Sequence, residues 1–178
     1  MALRSLEGIR EKLMRAQTGF FRAADAIAPE EWVRQPRQDS WSAGEIVAHL
    51  VVVERSILGK ADQITQKAPL PIPIPFSKRM HLPMWLVEAR LIRRKTPIPQ
   101  DPRMLREKEV MLAELRGARE RTLAFLSETK KRDLTAYCWK HPFLGMLNIY
   151  EWMEMIAAHQ IRHTKQMKEV EAKLSRKL

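Results

Sequence analysis

A chain of 178 residues with 45% hydrophobic content and only 6 glycines is long enough to bury one sizeable core without disulfide or metal staples. Its formal charge of +11 is spread from Arg4 to Lys177 with no groove-reading motif, which argues against a dedicated nucleic-acid reader and for a solvated surface that also attracts small anions. No run nears the roughly 20 apolar residues of a membrane span, and the lone Cys138 excludes an internal disulfide; with no apolar leader in MALRSLEGIR, a cytoplasmic protein is expected.

The first helix is read from Leu6, Ile9, Leu13, Gln17, Phe20, Ala24 and Ile27, whose steps of three and four place them on one face; Pro29 and Pro36 mark its end and a loop. The second, expected over 43–66, carries a capping box in Ser42 and Glu45 and a hydrophobic staple in Trp41 and Ile46.

Residues 67–102 are unlike the rest. PLPIPIP alternates proline with aliphatic residues, so no helix passes through it. A connection this long is uncommon in a compact domain unless it carries function, so an arm is expected. It would hold a short basic amphipathic helix over 84–94, packed across the end of the bundle or onto a second subunit of a homodimer in preference to a membrane surface.

A third bundle helix is expected from Pro102, a residue tolerated at the first helical position, to about Glu128, with Leu105, Leu112, Leu115, Ala118, Thr122 and Phe125 as its core stripe. After a loop containing His141, Pro142 and Gly145, a fourth starts at Asn148, with Glu151 at capping-box spacing and Leu147 and Trp152 as a staple. The whole reads as all-α: a single-domain antiparallel four-helix bundle over 1–178, with a long proline-rich crossover between its second and third helices.

The inward stripe of the fourth helix includes His159 and His163, and residues four apart stack one turn above each other, so two imidazoles there can converge on one ion. His49 shares a face with Ile46, Val53 and Ser56 on the second helix and also points into the seam. Three neutral nitrogens would leave a position open for water or substrate, and they accept zinc, nickel, copper, iron or manganese. A lone histidine on an apolar face is commonly just a hydrogen-bonded core residue; three of five on the inward stripes of two similarly capped helices favour a metal site.

Other candidates are weaker. Glu45, one turn before His49, could orient that ring, yet its capping duty takes precedence. Gln160 stands where an HExxH protease has its glutamate, which excludes peptide hydrolysis by that route. Cys138 suits packing better than nucleophilic chemistry, and His81 and His141, in proline-rich loops, read as surface residues.

WSAGEIVAHL ending at His49 and Leu50, the HPFLG run from His141, NIYEW from Asn148, and His159-x-x-x-His163-x-x-Gln166 together resemble the DinB/YfiT-like family of metalloenzymes over nearly the whole chain. The resemblance implies a four-helix bundle with a divalent metal, zinc or nickel foremost, held by His49, His159 and His163. Characterised relatives transfer low-molecular-weight thiols such as bacillithiol, or isomerise maleylpyruvate with mycothiol, so a thiol cosubstrate is implied as well. The expectation is a metal-dependent enzyme acting on a small molecule, by thiol transfer or by hydrolysis with metal-bound water. The alternative is a non-catalytic metal-binding or interaction protein, associating with itself or with nucleic acid.

Overall fold

The computed structural model describes residues 6–38, 40–68, 84–89 and 105–175. Four long helices, α1 (Leu6–Asp25), α2 (Ala43–Thr65), α4 (Lys108–Glu128) and α5 (Ile149–Leu174), form a four-helix bundle joined by the short α3 (Met84–Ala89) and a β-hairpin of β1 (Cys138–His141) and β2 (Gly145–Asn148). No described helix is long and apolar enough to cross a membrane.

Helix directions follow from contacts between the ends. Lys108 Nζ, at the start of α4, reaches the carbonyl oxygens of Asp25, the last residue of α1, and of Ile27 just past it, and Arg10 Nη1 donates to Ser127 Oγ at the far end of α4. α1 and α4 are therefore antiparallel. Arg132 Nη2, just past α4, donates to Thr65 O at the end of α2, so these two helices run the same way. A short turn joins antiparallel neighbours; parallel ones need a crossover, which is why the proline-rich connection lies between α2 and α4.

Both predicted capping boxes form. Ser42 Oγ accepts Glu45 N–H and Glu45 Oε2 accepts Ser42 N–H at 2.7 Å; Asn148 and Glu151 repeat the exchange at 2.9 Å in each direction. Gly44, in the first turn of α2, sits at a close approach of neighbouring groups. Its N–H donates to Trp32 O at 2.9 Å, and a Cβ there would meet Leu105 Cδ2 at 3.1 Å and Trp32 Nε1 at 3.2 Å.

Two sequence expectations change. Leu105, Arg106 and Glu107 are not helical, so the helix expected from Pro102 begins at Lys108. Tertiary contacts fix that start: Lys108 is anchored to the end of α1, and Met111 Sδ accepts from both Trp32 Nε1 and Arg106 N. The loop expected before the last helix is instead a hairpin, with His141 opposite Gly145 and a left-handed φ of 85° at Gly145 that closes the turn. Of the arm at 67–102, only 67, 68 and 84–89 are described; the PLPIPIP run, His81 and residues 90–94 of the expected helix lie outside the described residues. α3 packs on the flank of α5, where Lys165 Nζ donates to Glu88 O and Lys12 Nζ pairs with Glu88 Oε1, each at 2.7 Å.

The apolar core divides into two clusters. One gathers Leu13, Ile57, Leu126, Trp152 and Ile156; the other gathers Phe20, Ile46, Leu50, Leu115 and Met167. By their positions along α2, α4 and α5, Glu54, Arg119, Thr122 and Gln160 form a polar layer between them, all four buried. His159 and His163 flank Gln160 of that layer on α5, and His49 lies five residues before Glu54 on α2.

Candidate metal centre

α2 contributes His49 and α5 contributes His159 and His163, and the three rings meet at Nε2. His159 Nε2 lies 3.2 Å from His49 Nε2 and 3.1 Å from His163 Nε2. One ligand atom from each ring falls within 4.8 Å of the other two. The ring planes stand at 60–82° to one another, with centroids 4.5–5.1 Å apart, so edges rather than faces converge.

These separations can be tested against a common ion. Two nitrogens each roughly 2.0–2.1 Å from a tetrahedral centre stand about 3.3 Å apart. The observed 3.1 and 3.2 Å need almost no adjustment. The protonation states also fit. Burial pulls His49 down to about 4, and burial reinforced by the charges of His49, Arg162 and His141 pulls His159 down to about 3. His163 is held well below the ordinary value by burial, then by His159, His49 and Arg162, with a hydrogen bond to Gln166 opposing. All three rings are neutral at neutral pH, the form a metal requires.

His49 and His163 are buried, and His159 is the one half-buried member of the triad. Trp41 walls the centre: its ring meets His49 edge-on at 5.0 Å and lies parallel to His163, 2° from coplanar orientation at 6.0 Å. Its sequence position suggested only a helix staple. Arg162, beside the triad on α5, donates to Val87 O at 3.4 Å and so also ties α3 to this face.

The other candidates fall elsewhere. Glu45 is occupied by its capping box and by Gln35, and His49 Nδ1, though buried, has no hydrogen-bond partner among the described residues. Gln160 turns away from the triad to accept from Arg119 Nη2 at 2.9 Å, and Cys138 Sγ donates to Thr135 O. His141 is a correction. It is half-buried at the end of β1 rather than a surface residue, packed against Trp152 and near enough to His159 to lower its pKa. The signal in the sequence was the HPFLG turn itself, which folds the ring back instead of leaving it in solvent.

The sequence profile of the DinB superfamily matches residues 12–167, a span that contains all three histidines of the triad. An uncharacterised protein of Bacillus subtilis (strain 168), YuaE, is 24% identical over 151 residues, covering 84% of this chain and 89% of that protein. Among solved structures, TT2238, described as a four-helix bundle protein, superposes with a TM-score of 0.59 at 18% identity, covering 93% of this chain and 99% of that one; this likeness is one of fold.

Proposed function

The chain belongs to the DinB superfamily, and from that premise we propose that it is a divalent-metal-dependent enzyme acting on a small molecule, with His49, His159 and His163 as the metal ligands. The observation that carries the reading is the double contact at His159 Nε2. An imidazole nitrogen offers either one lone pair or one proton, so ordinary N–H···N bonds poorly satisfy two neighbours at once. A shared cation satisfies all three nitrogens.

Zinc or nickel suits this all-nitrogen donor set. When bound, such an ion would act as a Lewis acid, drawing the pKa of a thiol or water in its open position toward neutrality. The chain's own groups do the rest. Burial keeps the imidazoles unprotonated, Trp41 and the surrounding core limit water, access would come past His159, the half-buried member of the triad, and Arg162 favours an anionic substrate. A low-molecular-weight thiol cosubstrate suits these cationic surroundings, and hydrolysis of a small molecule is the other use of the same arrangement. The lone cysteine suits a reducing, cytoplasmic setting.

The test is a panel of thiol-transfer and hydrolysis reactions run on the metal-loaded protein, on protein stripped by a chelator, and on His163→Ala. The proposal requires a turnover that stripping and His163→Ala both abolish and that restored zinc or nickel returns to the wild type alone. A turnover that survives both treatments would contradict it.

A second reading is favoured by one observation: Trp85 on α3 and Phe143 at the hairpin turn are each at least half exposed, on a chain of formal charge +11. These would serve self-association as a homodimer, or an interaction partner such as nucleic acid, with any metal structural. Sedimentation of wild type against Trp85→Ser, and retention of DNA at low salt, separate these possibilities; a monomer that ignores DNA would remove both.

A further inference from the structure

The hairpin turn brings a fourth histidine to the triad in a fixed tautomer. His141 Nδ1 accepts the backbone N–H of Phe143 and of Leu144, each at 3.1 Å. A nitrogen that receives two N–H groups carries no proton, so the neutral ring holds its proton on Nε2, at the opposite edge. The ring is not free to turn. It packs on Trp152 with centroids 5.0 Å apart, and Trp152 stacks on Trp139 at 4.6 Å and 10°. Trp152 precedes His159 by seven residues, about two turns, so both belong to the same face of α5. His141 is near enough to His159 to lower its pKa. Nε2–H has no hydrogen-bond partner among the described residues.

The surroundings indicate what such a donor would meet. Among the described residues, the groups outside the triad that lower the pKa of its rings are the Arg162 guanidinium and the His141 imidazole. A centre made of neutral rings, bordered by a guanidinium and an N–H donor, favours a negatively charged group. Resting on the reading of the triad as a metal centre, we propose that His141 is a ligand-binding residue of that centre, its Nε2–H donating a hydrogen bond to the anionic group of a small substrate such as a thiolate or carboxylate. The competing explanation is that His141 only caps the hairpin turn through Nδ1. For that task an asparagine serves as well, because its side-chain oxygen accepts the N–H two residues on. The Nε2 donor is what asparagine cannot replace.

Cobalt(II)-loaded wild type and His141→Asn would be titrated with azide, following the visible absorption of the cobalt ion. The variant is expected to keep its cobalt affinity and thermal midpoint while azide binding weakens about tenfold, the effect of losing one hydrogen bond to an anion. His141→Ala should show the same azide loss together with a lower thermal midpoint, because it also loses the turn cap. In the metal-free wild type, 15N NMR should find the His141 proton on Nε2; a proton on Nδ1 would contradict the assignment. Azide affinity in His141→Asn within about twofold of wild type, against the tenfold that one charge-assisted bond supplies, would overturn the role of His141 and leave the metal centre standing. Failure of the wild type to bind cobalt would instead overturn the metal reading, and this role with it.

Discussion

Arg119 and Glu54 form a two-point ion pair sealed inside the bundle, Nε to Oε1 at 2.7 Å and Nη2 to Oε2 at 3.0 Å, with both side chains at most 4% exposed. Other groups of the layer bond around it, while Gln160 Nε2 is buried without a hydrogen-bond partner among the described residues. Arg119 also donates to Leu13 O and to Gln160 Oε1, and Thr122 Oγ1 donates to Glu54 Oε1. All four bundle helices are thereby tied at one level, and Gln160, the neighbour of His159, is one of the attachment points. Removing one charge strands the other in the core, so Glu54→Ala should cost about 3–5 kcal/mol in urea unfolding. The double change Glu54→Leu with Arg119→Met should recover at least half of that loss, because no ion is left unpaired. A loss below about 1 kcal/mol for Glu54→Ala, the range of exposed pairs, would show that the pair is not sealed from water.

Stability of the metal-free protein should fall in mild acid. His49, His141, His159 and His163 all have folded pKa values depressed below 6.5, to about 4 for the first two and about 3 for His159. Between those values and 6.5 the unfolded chain binds more protons than the folded one, so unfolding free energy rises with pH. The contribution is complete above about pH 6.5 and is lost as pH falls toward 4. Urea midpoints measured from pH 8 to pH 4.5 should decline below 6.5, and His49→Gln should make the decline shallower. A flat profile through that window would mean that the rings are not buried in neutral form.

Trp41 should report metal occupancy. Its ring is 5.0 Å from His49 and 6.0 Å from His163, whereas Trp152 lies about two turns along α5. Quenching by a paramagnetic ion falls steeply with distance, so nickel(II) should quench the wild type and leave Trp41→Phe nearly unaffected. Equal quenching in the two proteins would place the ion elsewhere.

Much of this architecture was legible because helix signals are local. The capping boxes at Ser42 and Asn148 rest on residues three apart and formed as read, and the inward positions of His49, His159 and His163 followed from a period set by the helix itself. The start of α4 was not legible. Proline at a first helical position is a local preference, while Lys108 is fixed by carbonyls more than 80 positions earlier in the chain. The hairpin was hidden for a similar reason: CWKH and GMLN are four-residue strands, too short for alternation to show, and their pairing depends on Gly145 adopting a left-handed turn.

The site was partly legible. Spacing along one helix brought His159 and His163 to a common face, but it could not reveal that Trp41 turns onto the rings or that the HPFLG turn packs His141 on Trp152, near enough to His159 to lower its pKa. Both depend on where separate segments meet. The Glu54 to Arg119 pair, 65 residues apart, likewise had no sequence signature, because two charges on inward faces read as interruptions of the stripe until their partnership is seen.

The most direct test of the central claim is metal stoichiometry on protein purified without a histidine tag, dialysed against zinc or nickel and measured by elemental analysis, for wild type, His49→Ala and His159→Ala. The account predicts one ion per wild-type chain and a deep loss in each variant, because an ion gathered from two helices cannot be held tightly by the rings that remain. Equal metal in all three proteins, or none in the wild type, would contradict it.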